Sequence, residues 1–159
     1  MKALRLALVA AGTLAVVLST VGCGQETTPQ VPPVKSGNEA ATIEVGLEQF
    51  TLMSSSPAVI KQQVELTHPQ SLIVTLGANR TTGFGWTEDA SIGDKNVVTQ
   101  YEQNYVAPGE GAVAGAPGKQ VWTFKSAGKG ASVITVEYSR PWEGGEKGVF
   151  VYELTVTVK

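Results

Sequence analysis

A single cysteine and a single histidine are all that 159 residues supply of the two side chains most used in nucleophilic and metal chemistry. One thiol cannot close an intrachain disulfide, so the fold has to be held by its core alone. A Ser-His-Asp or Cys-His arrangement would have to use His68. That residue stands in the polar run His68-Pro69-Gln70-Ser71, with nothing in sequence tying it to a nucleophile, and reads as a solvent-facing turn residue. Metal sites want clustered His, Cys or carboxylates, and none is spaced for one. Glu143 and Glu146 lie close together in a Gly-rich stretch, but no supporting groups or cleft can be named that would make them a glycosidase pair. The interval from Gly77 to Gly85 lacks the strand-to-helix context of a phosphate loop. No stretch keeps a sustained helical period, and no internal repeat is visible. Charged residues make up only 16% of the chain. Catalysis has little to work with here, and no cofactor is called for.

What is present begins with a targeting segment. Lys2 and Arg5 precede Leu6 to Leu18, which is apolar apart from Gly12 and Thr13. That run is short for a spanning helix and has the layout of a secretory signal over residues 1–22. The only cysteine closes it. Ser19-Thr20-Val21-Gly22-Cys23 resembles a bacterial lipobox, with Thr20 where Leu is usual. Two readings stand: lipidation of Cys23, or ordinary signal cleavage near Gly22 or Gly24. Lipidation gives a lone cysteine at this position a use, and predicts a chain exported across the cytoplasmic membrane and anchored in the bacterial envelope. Residues 23–41 carry Pro29, Pro32, Pro33 and Gly37 with little to bury, and read as a flexible linker. With Lys2 and Arg5 gone, ten basic residues face fourteen acidic ones, a formal charge of −4. This argues against nucleic acid as a partner and leaves an acyl chain to do any membrane anchoring.

Residues 42–159 read as one globular domain made of strands almost throughout. Thr42-Ile43-Glu44-Val45-Gly46-Leu47 alternates, with Phe50 and Leu52 beyond it. Further candidates are Gln62 to Thr67, Leu72 to Leu76, Asn96 to Tyr105, Gln120 to Phe124, the run through Ile134, Val136 and Tyr138, and Phe150 to Val158. Alternation of apolar and polar residues between Gly- and Pro-containing gaps predicts an all-β, antiparallel sandwich of immunoglobulin-like architecture, with about seven to eight strands and no disulfide.

Three gaps between strands are unusual. The first is Asn79-Arg80-Thr81-Thr82-Gly83-Phe84, followed by Gly85 and Trp86. Gly83 can take a left-handed turn conformation, and the β-branched threonines limit rotamers at the tip. Alone, it reads as a turn entering a core strand. The second runs from Ala107 to Gly118 and is built of small residues with Glu110 as its one charge. It is either a flexible connector or a loop that lies flat against a surface through its backbone. The third is Arg140-Pro141-Trp142, where Pro141 restrains Arg140 and a tryptophan stands at a turn ahead of Glu143-Gly144-Gly145. Trp142 is either an exposed binding anchor or a ring folded back on the sandwich edge.

Taken together, these loops resemble those of the chagasin-type inhibitors of papain-like cysteine peptidases. In that family an Asn-Pro-Thr-Thr-Gly-Phe/Tyr loop, a Gly-rich loop and an Arg-Pro-Trp/Phe loop sit at one end of an immunoglobulin-like sandwich. Here they stand in the same order as Asn79-Arg80-Thr81-Thr82-Gly83-Phe84, Gly115-Ala116-Pro117-Gly118 and Arg140-Pro141-Trp142, with Trp86 and Trp122 following the first two as core tryptophans. The resemblance covers about Gln62 to Lys159; the segment Thr42 to Ile60 lies outside it and reads as an added edge strand. Arg80 replaces the usual proline and Pro117 a usual glycine.

The resemblance implies a reversible inhibitor, expected as a monomer, whose first loop enters the peptidase cleft over the catalytic cysteine. Thr81 and Thr82 would lie nearest, Phe84 beside them, and the other two loops would grip the flanks. Two other classes remain open: a lipid-anchored envelope adhesion module, and a carbohydrate-binding module that uses Trp142 as a stacking platform.

Overall fold

The computed structural model describes residues 39–159, so the signal segment, Cys23 and most of the linker lie outside the described residues. The strands are β1 (Ala41–Val45), β2 (Ala58–Leu66), β3 (Ser71–Ala78), β4 (Gly85–Trp86), β5 (Ser91–Ile92), β6 (Val98–Val106), β7 (Gly118–Ser126), β8 (Gly130–Ser139) and β9 (Phe150–Val158). A short helix, α1 (Leu47–Thr51), joins β1 to β2, and a single 3-10 turn (Arg80–Thr82) follows β3. Two sheets form, one in the order β1-β3-β7-β6 and one in the order β2-β9-β8-β4, with β5 also paired to β8.

The expected all-β sandwich is what the chain forms, and its period-two pattern reports the burial. In β3, Leu72, Val74 and Leu76 face inward and are buried. Trp122 and Phe124 do so in β7, and Ile134, Val136 and Tyr138 in β8. Tyr152, Leu154, Val156 and Val158 are buried in β9. Trp86 and Trp122 are core residues whose indole N–H groups find carbonyls, Gly77 O at 2.8 Å and Glu88 O at 3.0 Å. Leaving either donor bare in the core would cost about 1–3 kcal/mol.

Three details differ from the sequence reading. The pairing is mixed: β1 lies parallel to β3, and β2 parallel to β9. The chain crosses from one sheet to the other after β1 and again after β2, so β1 and β3 share one layer with β2 in the other, and β1 and β2 each join a neighbour of their own direction. Strands number nine among the described residues, because β4 and β5 are only two residues each. Phe50 and Leu52 do not continue a strand. Phe50 sits in α1 and is fully buried, while Leu52 at the helix end is 82% exposed.

The register fixes which loops share an end. Ala78, the last residue of β3, pairs with Gly118, the first of β7. Val106, the last of β6, pairs with Lys119. Ser139, the last of β8, pairs with Gly85, and Tyr138 pairs with Phe150. Residues 79–84, 107–117 and 140–149 therefore leave the same end of the sandwich. So does α1, because Val45 pairs with Leu76 and Ala58 with Phe150. The chain enters β1 at the opposite end, where Ala41 pairs with Leu72. The turn holding the exposed His68 is there too, its Nδ1 3.3 Å from the Ser126 hydroxyl.

Candidate functional site

The loop end rests on a floor of five rings. Phe84 stacks on Tyr138 with centroids 5.6 Å apart, and Tyr138 contacts Trp86 at 5.0 Å and Phe150 at 5.5 Å. Phe50 closes the cluster against Trp86 at 5.2 Å and Phe150 at 5.4 Å. Pairs of this kind contribute about 0.5–1.5 kcal/mol each beyond the area they bury. The rings come from α1, the first loop, β4, β8 and β9, so the floor ties the bases of separate loops together.

Asn79 organises the first loop from above that floor. Its backbone N–H donates to the Tyr138 hydroxyl at 2.9 Å. Its Oδ1 accepts from the Thr81 N–H at 3.2 Å and from the Thr81 hydroxyl at 2.6 Å, which caps the 3-10 turn. Its Nδ2 donates to the Gly115 carbonyl at 3.0 Å, which binds the first loop to the second. The Thr82 hydroxyl donates to the Asn79 carbonyl at 2.6 Å. Gly83 ends the turn at φ +79, in the left-handed region, and donates its N–H to the Arg80 carbonyl at 3.1 Å. Thr81 and Thr82 are left exposed at the tip with their rotamers fixed.

The third loop closes over the first. A Cβ built on Gly83 would come within 2.6 Å of Trp142 Cη2, so the indole lies against a residue that has no side chain. Trp142 itself is 51% exposed. The Arg140 guanidinium sits 4.4 Å from the Phe84 ring centre, within cation–π range, and its Nη1 is 3.1 Å from Glu146 Oε2. Lys147 Nζ donates to the carbonyls of Arg140 and Trp142, the latter at 3.0 Å. Glu146 is thus partnered within the loop and does not pair with Glu143.

The second loop folds on itself in two turns, with Ala112 N–H donating to Gly109 O at 3.1 Å and Ala116 N–H to Val113 O at 3.0 Å. Val113 projects from it, 79% exposed. The departure at Arg80 has a structural counterpart: its guanidinium lies 3.9 Å from the centre of the Tyr105 ring on β6. That contact braces the first loop against the base of the second, where a proline would have acted through its ring.

Of the residues singled out in sequence, Asn79, Arg80, Thr81, Thr82, Gly83, Phe84, Gly115, Ala116, Pro117, Arg140, Pro141 and Trp142 meet on this one end. Gly118 stands apart from the exposed set. It is buried in β7, where a Cβ would come 2.5 Å from the Tyr105 hydroxyl and from the Val106 carbonyl, so its lack of a side chain serves the frame. Sequence reasoning did not find Tyr138, Tyr105 and Lys147 as supports of the loops, nor α1 as a fourth segment at the same end. The alternation Val136–Tyr138 marks Tyr138 as inward-facing, but only the fold places its hydroxyl under Asn79.

The model of the chagasin family of peptidase inhibitors, I42, matches residues 65–156. The chain belongs to the chagasin family. Its members are protease inhibitors, not enzymes. The fold agrees with solved structures. The cysteine protease inhibitor EhICP2 from Entamoeba histolytica is 17% identical, covering 77% of this chain and 100% of its own, with a TM-score of 0.56. PbICP-C, solved in complex with falcipain-2, is 16% identical over 76% of this chain and 100% of its own, with a TM-score of 0.57. No curated protein is matched by the sequence. The chagasin-family match begins inside β2, so β1 and α1 lie outside it.

Asn79→Ala tests how the loops of this chagasin-family chain are held. It removes the cap and the tie to Gly115, and is expected to lower stability by about 1 kcal/mol, a fall in Tm of roughly 4 °C. Thermal denaturation followed by circular dichroism measures it; an unchanged Tm would show that the cap carries no weight.

Proposed function

We propose that the chain is a reversible inhibitor of papain-like cysteine peptidases, acting as a monomer through the three loops at one end of the sandwich. The observation that carries this reading is the joining of those loops into one surface: Asn79 bonded to Gly115, and Trp142 laid against Gly83. The distribution of exposed apolar residues supports it. Among the described residues, seven large hydrophobics are exposed; Leu52, Met53, Val106, Val113 and Trp142 are at the loop end, leaving Tyr101 and Val133 elsewhere.

The chemistry follows from the target. A papain-like site holds a thiolate beside an imidazolium. Thr81 and Thr82 donate their hydroxyl protons within the loop, so they bring hydroxyl oxygens that can accept from the imidazolium and offer no strained carbonyl to attack. Phe84, stacked on Tyr138, fixes the height of the tip. The second and third loops then grip the two sides of the cleft. Because the hydroxyls of Thr81 and Thr82 are already bonded within the loop, little rotamer freedom is left to lose on binding.

Anchoring through a lipid on Cys23 belongs to the same proposal, and the position of Ala41 supports it. The tether joins β1 at the end away from the loops, so the inhibitory surface faces outward from a membrane. Fully extended, residues 23–41 reach at most about 65 Å.

The test is titration of residues 39–159 against papain. Dose-dependent loss of activity that returns on dilution is expected. Papain left fully active by a folded domain would overturn the reading in favour of an adhesion or sugar-binding module. Thr81→Ala is expected to weaken inhibition modestly, by about 0.5–1.5 kcal/mol, or roughly 2–10-fold in Ki.

A further inference from the structure

Leu52 is the most exposed large hydrophobic among the described residues, at 82%, and Met53 beside it is 37% exposed. Neither is on a slack stretch of backbone. The Leu52 N–H donates to the Glu48 carbonyl at 3.1 Å, and the Met53 N–H to the Phe50 carbonyl at 3.2 Å. The Thr51 hydroxyl also donates to Glu48 O, at 2.9 Å. One turn back, Phe50 is fully buried in the aromatic floor that supports the first and third loops. On the other side of α1, Gly77 lets the backbone come close: a Cβ there would stand 2.4 Å from Leu47 N. The helix is therefore pinned by Phe50 and Gly77, and the two residues just past its end, Leu52 and Met53, present their side chains to water, the first largely and the second partly. Single exposed apolar side chains are ordinary, but this pair shares its end of the sandwich with exposed Val106, Val113 and Trp142, a concentration that marks an interaction surface.

The place of the pair indicates what covers it. α1 crosses the loop end along the edge formed by β1 and β2, next to Phe150, where the third loop re-enters the sheet, and next to Gly77, just before Asn79. The second loop lies at the other edge, between β6 and β7. The end thus carries its small-residue loop on one flank and α1 on the other, with the Thr81–Thr82 tip between them.

We propose that the segment 47–57 is a fourth contact element. Leu52 and Met53 pack on an apolar patch at the rim of the target's cleft, on the flank that the third loop grips. This rests on the inhibitory reading above and deepens it. The family model does not reach this segment, yet the EhICP2 and PbICP-C structures cover 77% and 76% of this chain and so share the element, and what we assign to this chain is the pair of side chains, Leu52 and Met53, that it presents there. A pre-organised pair adds apolar contact at little ordering cost, so its effect falls on the dissociation rate.

The test compares the full chain, purified in mild detergent, with its Leu52→Ser/Met53→Ser variant against papain. Amide hydrogen exchange over residues 47–57 is recorded on the unaltered chain, free and in complex. The expected result is a Ki raised about tenfold, mostly through faster dissociation, with added protection of these amides in the complex. If the unaltered chain inhibits papain, the variant inhibits equally well and the amides gain no protection, this proposal falls and the three-loop reading stands. If the unaltered chain does not inhibit papain, the loop reading fails and takes this one with it. Should the variant melt at lower temperature, the exchange on the unaltered chain decides. A chain that sediments as a dimer and becomes monomeric on substitution would assign the patch to a second copy, and would also overturn the proposal.

Discussion

Phe50→Ala is expected to cost about 3–5 kcal/mol of folding stability, the range for removing a large ring from a packed core. The ring is fully buried, with Trp86 at 5.2 Å and Phe150 at 5.4 Å. Both contacts go, and a cavity opens beneath the loop end. For a domain of this size the loss corresponds to a fall in Tm of about 10–20 °C, read by circular dichroism. The defect does not stop at the core. Trp86 donates to Gly77 O, and Phe150 stacks on Tyr138, whose hydroxyl holds the Asn79 N–H. Inhibition of papain by the fraction that stays folded is therefore expected to weaken as well. Phe50→Leu keeps most of the volume and should recover most of the stability. A Phe50→Ala variant that melts like the parent would show that α1 is an appendage and not part of the core.

That expectation could not be drawn from sequence alone, and the reason is instructive. Strands declare themselves through alternation, because each buried position repeats every second residue along a half-buried ribbon. Leu72, Val74 and Leu76 in β3 and the even positions of β9 were legible for that reason. A five-residue helix has no period to display. Leu47 and Phe50 are three apart and share a face only once the turn exists, so the pair looks the same as the ragged end of β1. The parallel pairing of β1 with β3 and of β2 with β9 was hidden for a different reason. Side-chain patterns specify which face of a strand is buried; they do not say which sheet a crossing connection will join.

The site divides along the same line. Residues with an unusual local signature were legible: Gly83 between threonines and Phe84, and a Pro-Trp pair at a turn. Their supports were not, because Tyr138, Tyr105 and Lys147 look like ordinary strand and loop residues until the fold sets them under or beside Asn79, Arg80 and Trp142. Arg80 shows the limit of a motif. It breaks the family pattern in sequence, yet its stacking over Tyr105 restores the bracing that a proline would otherwise supply.

Trp142→Ala is expected to have the largest effect on inhibition of any single loop substitution, raising Ki for papain by about tenfold or more, at least ~1–2 kcal/mol. Two features set the size. The indole offers a large apolar area with only two rotatable bonds to immobilise, so most of what its burial contributes survives as affinity. The ring lies on Gly83 before binding, and the backbone that carries it is held by Lys147 and Gly145, which donate to the Trp142 carbonyl at 3.0 and 3.1 Å. Stability should change little, because half of the ring already faces water in the free chain. The two effects are thus separable: a large rise in Ki with a nearly constant Tm. Fluorescence supplies an independent reading, since Trp86 and Trp122 are buried and Trp142 alone of the three tryptophans is exposed. Binding of an inactivated papain-like peptidase is expected to shift the inhibitor's emission to the blue, as the Trp142 indole leaves water. That shift should vanish in Trp142→Ala, and Trp142→Phe should keep part of the affinity. Full inhibition by Trp142→Ala would remove the third loop from the contact surface and leave its hold on Gly83 as its whole role.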